Sequence, residues 1–236
     1  AEIQQGLANT ARESGFLPEW ASPGHRGCMV GNNSASVVAD ALLKGVTPEK
    51  EWQTLYEAMM HARTNVHPGV SSTGRLGHEY YNRLGYIPYD VKINENVART
   101  LEYAYDDWCI AQVARKLGKT EDAAALEEAS RNYRNVFDKT TKLMRGRNEN
   151  GEFQSPFSPY KWGDAFTEGN AWHYTWSVFH DVQGLAELMG GREGFAEMLD
   201  SVFVVPPIYD DSYYGTRIHE ITEMQVADMG NYAHGN

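Results

Sequence analysis

The sequence has few features of a membrane-spanning or disulfide-bonded protein. No apolar run approaches the ~20 residues that a membrane helix needs, and the first residues lack the basic-then-apolar pattern of a signal peptide. Two cysteines, Cys28 and Cys109, are too few for a disulfide framework. Each lies among apolar neighbours, so both are expected to pack as small hydrophobic side chains, with a single bridge between them as the open alternative. No membrane partner is expected.

Positive charge is also scarce. The 236 residues include 21 Lys and Arg against 32 Asp and Glu, a formal net charge of -11. A surface of this sign repels phosphate backbones, so nucleic acid is excluded as an expected partner. Aromatic residues, in contrast, are plentiful, with 6 Trp and 14 Tyr. Such rings either fill a core or stack on sugar faces.

Apolar residues recur at helical spacing along most of the chain, which predicts an all-α fold. Gly45 and Gly118 are typical helix stops, and Pro48 is typical of a helix start. The patterns predict helices over 36–44, from 48 to about 62, 94–117, 120–143, 167–189 and 192–203, with a weaker one in "TRIHEITEMQVADMG". The two long helices joined by "GKT" are interpreted as an antiparallel pair.

Three connections are long and rich in Gly, Pro and aromatic residues. They are "ASPGHRGCMVGNNSA", "NVHPGVSSTGRLGHEYYNRLGYIPYD" and "NGEFQSPFSPYKWGDAFTEGN". Loops of this length are uncommon in compact domains, and ordered ones often carry function. The fold predicted is therefore a set of helix pairs whose long loops build one functional end.

The stretch "FTEGNAWHYTW" places one carboxylate, Glu168, among aromatic residues. Glu168 has two interpretations. In the first, it is an acid in the first turn of a helix capped by Thr167, where the helix dipole favours negative charge. In the second, it lies close to Trp162 and Trp172 in a water-poor hollow, where desolvation raises its pKa. A carboxyl group of that kind could donate its proton to a leaving oxygen as a general acid.

Two further groups could carry chemistry. Asp106 and Asp107 are adjacent on a predicted helix and point about 100° apart, so one is expected to face solvent. The other is interpreted as a buried or site-facing carboxylate, with structural hydrogen bonding as the favoured role. His173 and His180 could share a helix face, but no pair at i,i+4 spacing or HExxH pattern supports a metal site.

Six stretches occur in the order seen in glycoside hydrolase family 92, and the sequence resembles that family over nearly its whole length. They are "GFLPEW", "CMVGNNSASVVADALLKG", "RTLEYAYDDWCIAQVARKLGK", "TEGNAWHYTW", "HDVQGLAELMGG" and "GNYAHGN". The resemblance implies a calcium-dependent, exo-acting, inverting α-mannosidase that removes terminal α-linked mannose from mannose-containing glycans. It also implies an (α/α)6 barrel as the catalytic fold.

The resemblance also implies roles for particular residues. The glutamate of the TEGNAW stretch is the family's general acid, which corresponds to Glu168. Trp172, Trp176 and Trp162 are expected either to wall the sugar site or to fill the core. His234 and Asn236, on a loop that reaches the site region in the family, are expected to contact the sugar or the residues that bind it, and Asp107 is expected to support the site. The family's general base is an aspartate in a G-N-D-D-x-G stretch, which this sequence lacks. The base is therefore expected outside the chain, and no calcium ligand is assigned.

Residues 1–236 are expected to form a single helical domain that is one segment of a larger barrel. The β-rich domain that precedes the barrel in the family has no counterpart here. Neither do the early helices with a "SLWDTYR"-like segment, nor the C-terminal part of the barrel. The closing "MGNYAHGN" also ends without a terminal helix, which indicates a longer polypeptide. That polypeptide is the expected partner, and the chain alone is expected to be inactive.

The location expected from the resemblance is extracellular, periplasmic or on the cell surface, because family members act on external glycans. Three other functions remain open at this point. The chain could be a non-catalytic carbohydrate-binding helical domain that uses Glu168 only as a hydrogen-bond acceptor. It could be a different (α/α)-barrel glycosidase or lyase. It could also be a purely structural helical interaction protein, although long loops and aromatic density argue against that.

Overall fold

The structure, a computed structural model, describes residues 1–206, 208 and 210–216. In these residues there are nine α-helices and two small antiparallel hairpins, so the predicted all-α class is confirmed. The helices are α1 (Glu2–Ser14), α2 (Ser34–Leu43), α3 (Glu49–Ala62), α4 (His78–Leu84), α5 (Asn96–Lys116), α6 (Thr120–Ala129), α7 (Ala171–Tyr174), α8 (Val182–Leu188) and α9 (Arg192–Val202).

The strands are short and each hairpin is local. Strands β1 (Val66–His67) and β2 (Val70–Gly74) pair antiparallel, with Val66 opposite Gly74. Strands β3 (Phe137–Asp138) and β4 (Leu143–Met144) also pair antiparallel. Neither hairpin has the three or more strands that a sheet needs for independent stability, so both depend on the helices around them.

The chain divides into two compact units. The first unit consists of Ala1–Gly85 and Glu102–Asn132, and the second of Tyr86–Leu101 and the chain from Tyr133 onward. The expectation of a single helical domain over 1–236 stays a prediction.

In the first unit, α3 packs against α1 and α2. Helix α3 begins after Pro48, which precedes two glutamates in the first turn, where negative charge suits the helix dipole. Its buried stripe includes Leu55, Met59 and Ala62 at helical spacing. Leu55 and Met59 join a core that also holds Val38, Ile110 and Leu126 among others.

Most helices with clear stop signals occur where they are predicted. Helices α2, α3, α5 and α9 match their patterns to within about two residues at most ends, which is the ordinary uncertainty of helix ends. Gly45 and Gly118, predicted as stops, adopt positive φ angles of 71° and 74°. Glycine reaches this conformation without steric cost, so the chain can turn away from each helix.

The helix predicted over 120–143 is wrong in its second half. Helix α6 ends at Ala129 and a 3-10 helix, Ser130–Val136, leads into the β3–β4 hairpin. Asp138 builds the hairpin turn, because its carboxylate accepts hydrogen bonds from the backbone N–H and the hydroxyl of Thr140. Such local bonds compete with helical ones, which is why an apolar spacing alone did not extend the helix.

The helix predicted over 167–189 is also wrong. Two short helices, α7 and α8, replace it, and each begins at its own cap. The Asn170 side chain caps α7, so Thr167 is not the cap. The Asp181 side chain accepts from the backbone N–H of Gly184 at 2.9 Å and caps α8. Each cap satisfies a backbone donor that a continuous helix would have bonded internally.

The two cysteines are not bonded to each other. Cys109 is buried, as predicted, whereas Cys28 is exposed, so the prediction of apolar packing is wrong for Cys28. Within the part of the chain that the structure describes, no helix is long and apolar enough to cross a membrane. The segment "TRIHEITEMQVADMG" lies outside the described residues, apart from Thr216.

Candidate active site

Glu168 lies in the second unit on a short loop, residues 163–170, which we call the Glu168 loop. Glu168 is exposed, whereas Thr167 and Asn170 on either side of it are buried. Its φ angle is 45°, a left-handed conformation that costs a non-glycine residue roughly 1–2 kcal/mol. The loop therefore holds its backbone in place on both sides of an exposed carboxylate.

One anchor of the loop is the cap of α7. The side chain of Asn170 accepts a hydrogen bond from the backbone N–H of Trp172 at 3.0 Å. In return, Nδ1 of His173 accepts from the backbone N–H of Asn170 at 3.1 Å. His173 is 1% exposed and its ring meets that of Trp162 edge to face at 5.5 Å. The metal-ligand interpretation of His173 therefore gives way to a structural one.

The other anchor is the N-terminus of α5. The hydroxyl of Thr167 donates to Oε1 of Glu95 at 3.0 Å. The backbone N–H of Glu95 donates to the carbonyl of Asp164 at 2.7 Å, and that of Val97 donates to the carbonyl of Ala165 at 3.0 Å. The loop carbonyls thus satisfy helix N-terminal donors that have no partner within the helix.

The water-poor hollow predicted around Glu168 is not formed by the described residues, because Glu168 is exposed. The tryptophans expected beside it contribute to a small core instead. Trp162 is 1% exposed and packs with Val202, with Trp172 and Trp176 partly buried against this pair. The tryptophans are close to Glu168 along the chain, but the short helix α7 and the turns around it direct their rings into this small core. The role of Trp172 as a sugar contact stays a prediction.

Asp107 lies in the first unit, where it joins two arginines. Its Oδ1 accepts from Nη1 of Arg75 at 2.7 Å and from Nε of Arg63 at 2.9 Å. Its Oδ2 accepts from the hydroxyl of Tyr81 at 3.1 Å. Asp107 and Arg75 are both fully buried, so water solvates neither charge and each depends on the other for compensation. The geometry supports the structural role for Asp107, and its support of a sugar site stays a prediction.

Asp106 is fully buried too, so the prediction that one of the two aspartates faces solvent is wrong. The partly exposed residues of α5 over this stretch are Glu102, Tyr105 and Trp108, which recur every three residues on one stripe, and neither aspartate belongs to that stripe. The Asp106 carboxylate accepts from the backbone N–H of Asn32 at 2.8 Å. Burial raises the pKa of Asp106 well above its usual value, and the negative charges of Glu19 and Glu102 add to that rise.

Glu19 and Glu102 belong to the same acidic group. Burial raises the pKa of Glu19 to about 7, against an opposing hydrogen bond from Asn32. Burial likewise raises the pKa of Glu102 to about 7, although Asn33 donates a hydrogen bond to it. In the unfolded chain these glutamates lose their protons near the ordinary glutamate pKa of about 4.3, whereas the folded chain keeps them protonated to higher pH.

The pKa of Glu102 predicts a stability that falls as pH rises. Between about pH 4.5 and 7, the folded chain binds more protons than the unfolded chain, so each rise in pH favours unfolding. Glu102→Gln cannot ionise and is expected to gain stability relative to the unmodified chain over this range, by at most about 3 kcal/mol. Urea unfolding at pH 5 and pH 7.5 measures the difference. The exposed Glu13→Gln variant is the control, and a pH-independent difference for Glu102→Gln would contradict the prediction.

The calcium implied by the resemblance finds no cluster of carboxylate, imidazole or thiolate ligands among the described residues. No group of three His, Cys, Asp or Glu side chains in that part of the chain could hold a metal ion. The buried acids Glu19, Glu102 and Asp106 of the first unit do not form such a group either. Calcium therefore stays a prediction that rests on the resemblance alone. His234 and Asn236, predicted as sugar contacts, lie outside the described residues.

Comparison with solved structures supports the fold. An inverting mannosidase of family 92 from Bacteroides thetaiotaomicron matches 99% of this chain at 49% identity, with a TM-score of 0.83. An α-mannosidase of the same family and organism matches 87% of the chain at 36% identity, with a TM-score of 0.77. This chain spans only 31% and 26% of those two chains.

Two further comparisons agree. An uncharacterized secreted glycosidase of the fungus Arthroderma benhamiae is 28% identical over an alignment that covers 82% of this chain and 29% of that protein. The model of the glycosyl hydrolase family 92 catalytic domain matches residues 1–236, which is the entire chain. A family model that covers every residue decides the matter: this chain belongs to glycoside hydrolase family 92.

Proposed function

We propose that the chain acts within a longer polypeptide, here called the complete enzyme, that removes terminal α-linked mannose from glycans by a single-displacement, inverting mechanism. The observation that carries this proposal is the Glu168 loop. In a chain of family 92, the glutamate of TEGNAW is held by anchors on both sides, with its carboxylate exposed where a sugar can reach it.

Glu168 acts in this proposal as the general acid. Its carboxyl group donates a proton to the glycosidic oxygen as the bond to the anomeric carbon breaks, so the departing alcohol leaves neutral. A general base on the opposite face of the sugar activates a water molecule that attacks the anomeric carbon. Inverting glycosidases separate the two carboxyl groups by about 6.5–9.5 Å to leave room for that water.

The base lies outside this chain in the proposal, since the sequence lacks the G-N-D-D-x-G stretch. The remainder of the complete enzyme would also cover Glu168 and exclude water from it. The mannosidases named among the solved relatives support mannose as the substrate sugar. The secreted relative supports action outside the cell.

The product released by the complete enzyme tests the function. We expect β-mannose as the first product from an α-mannoside, because a single displacement inverts the anomeric centre. Proton NMR follows the anomeric signal before mutarotation equilibrates it. The 236-residue chain alone is expected to release no mannose above the buffer rate, because no base activates the water.

Four outcomes would overturn parts of this proposal. First release of α-mannose would show a retaining mechanism. Mannose release by the 236-residue chain would remove the need for a base elsewhere. Cleavage of a uronic-acid polymer, with α-mannosides left intact, would favour the lyase alternative. Tight sugar binding by the complete enzyme without turnover would favour the carbohydrate-binding alternative.

A further inference from the structure

We propose that Glu95 is a positioning residue for Glu168. This inference rests on the proposed function above and deepens it, because it names the group that fixes where the acid stands. Glu95 does not touch the substrate in this proposal. It acts through the Glu168 loop, which it holds by its side chain and by its backbone.

The side chain of Glu95 is fixed at both oxygens. Oε1 accepts from the hydroxyl of Thr167, the residue directly before Glu168, at 3.0 Å. Oε2 accepts from Nη2 of Arg99 at 2.9 Å. Arg99 is 7% exposed, and its Nε donates to the carbonyl of Asn94 at 3.1 Å. The Arg99 guanidinium therefore orients the carboxylate that holds the loop.

The backbone repeats the same connection. The N–H of Glu95 and the N–H of Val97 donate to consecutive loop carbonyls, those of Asp164 and Ala165. Ala98 adds a second donor to the Ala165 carbonyl at 3.1 Å. Four hydrogen bonds thus join the start of α5 to the Glu168 loop, one from a side chain of the loop and three from the backbone of α5 and Glu95, so displacement of one segment displaces the other.

Backbone conformation indicates that this connection holds strain. Glu95, Asp164 and Glu168 have φ angles of 60°, 60° and 45°, and none of them is a glycine. Such conformations persist where the surrounding structure over-determines them, and they cluster at functional sites. Loss of the Thr167–Glu95 bond removes the restraint next to Glu168, which lets its backbone relax toward the ordinary extended region and moves its carboxylate.

The chemistry makes this position measurable. Proton donation requires the acid within hydrogen-bond reach of the leaving oxygen, so displacement lowers kcat when the leaving group needs a proton. An activated aryl leaving group departs without one and is insensitive to the displacement. Sugar binding uses other contacts, so KM is expected to change little.

Thr167→Val in the complete enzyme is the main test, because valine keeps the shape of threonine and removes its hydroxyl. We expect kcat for an α-mannobiose to fall by about ten- to a hundredfold, as ångström-scale misplacement of catalytic groups does. The expected change for a 2,4-dinitrophenyl α-mannoside is less than about threefold. Thr167→Ser restores the hydroxyl and is expected to recover kcat for the disaccharide to within about threefold.

Glu95→Gln is the second variant, and it breaks the ion pair with Arg99 while an amide oxygen can still accept from Thr167. We expect the same leaving-group dependence with a smaller loss of kcat. Glu187 is an exposed carboxylate on α8, and Glu187→Gln is the matched control. It should leave kcat unchanged for both substrates.

Equal losses on both substrates, or no recovery with serine, would overturn the positioning role of Glu95. The same substrates measured with Glu168→Gln separate this failure from failure of the proposed function. If Glu168→Gln shows leaving-group dependence and Thr167→Val does not, only the positioning inference is lost. If Glu168→Gln shows none, the general-acid proposal is lost with it.

Discussion

Glu168→Gln in the complete enzyme is expected to lower kcat/KM for α-mannobiose by about 10²–10⁴-fold, the usual contribution of general acid catalysis. Glutamine keeps the size of glutamate and its place on the loop, but it has no proton to donate. The departing sugar alkoxide would then leave unprotonated, which is a high barrier near neutral pH. Initial rates of mannose release measure the effect.

The same variant should retain most of its activity on a 2,4-dinitrophenyl α-mannoside. That leaving group is stable as an anion, so its departure needs little help from an acid. The matched control is Glu193→Gln, an exposed carboxylate in the first turn of α9. Equal, near-unmodified activity of Glu168→Gln on both substrates would remove the assignment, and equal large losses would indicate a different role.

Asp107→Asn is expected to destabilise the chain by about 3–5 kcal/mol, the typical cost of breaking a buried ion pair from one side. Burial alone would lower the pKa of Arg75, but the charges of Asp107 and Asp106 outweigh burial and raise it. Asparagine removes one of those charges and leaves a fully buried guanidinium without its nearest counter-charge. Urea denaturation at pH 7 measures the loss.

Two further variants serve as comparisons for Asp107→Asn. Lys44→Gln breaks an exposed pair with Asp40 and should cost less than about 1 kcal/mol. Arg63→Gln removes the partly exposed partner of Asp107 and keeps the buried pair, so it is expected to lose an intermediate amount of stability. This variant can be measured even where Asp107→Asn does not fold. A loss below about 1 kcal/mol for Asp107→Asn, with a large loss of kcat in the complete enzyme, would return Asp107 to the site-supporting role.

The helices whose ends carry local signals could be predicted from the sequence. Pro48 begins α3, and Gly118 follows α5 with a positive φ angle. Between such signals an apolar stripe repeats at helical spacing, and burial of that stripe is what stabilises the helix. No Gly or Pro interrupts the pattern inside 120–143, and inside 167–189 the caps Asn170 and Asp181 were not interpreted as helix starts, so two helices were predicted to be too long.

The candidate site could be predicted only in part. Glu168 was identified by its motif, but Glu95 was missed, because 72 residues separate it from Thr167. An acid near a helix N-terminus is ordinary there, since it suits the helix dipole, so Glu95 carried no separate signal. The burial of Asp106 was missed for a similar reason, because side-chain type alone does not show which faces of a helix the rest of the fold covers.

The order of residues by itself determined the helical class, several helix ends and the family, because each depends on local periodicity or on contiguous motifs. Tertiary structure alone decided which acids are buried, where α7 and α8 begin, and how the loop presents Glu168. Those outcomes depend on hydrogen bonds between residues far apart in sequence. Such bonds form only when packing brings their donors and acceptors together and excludes water from them.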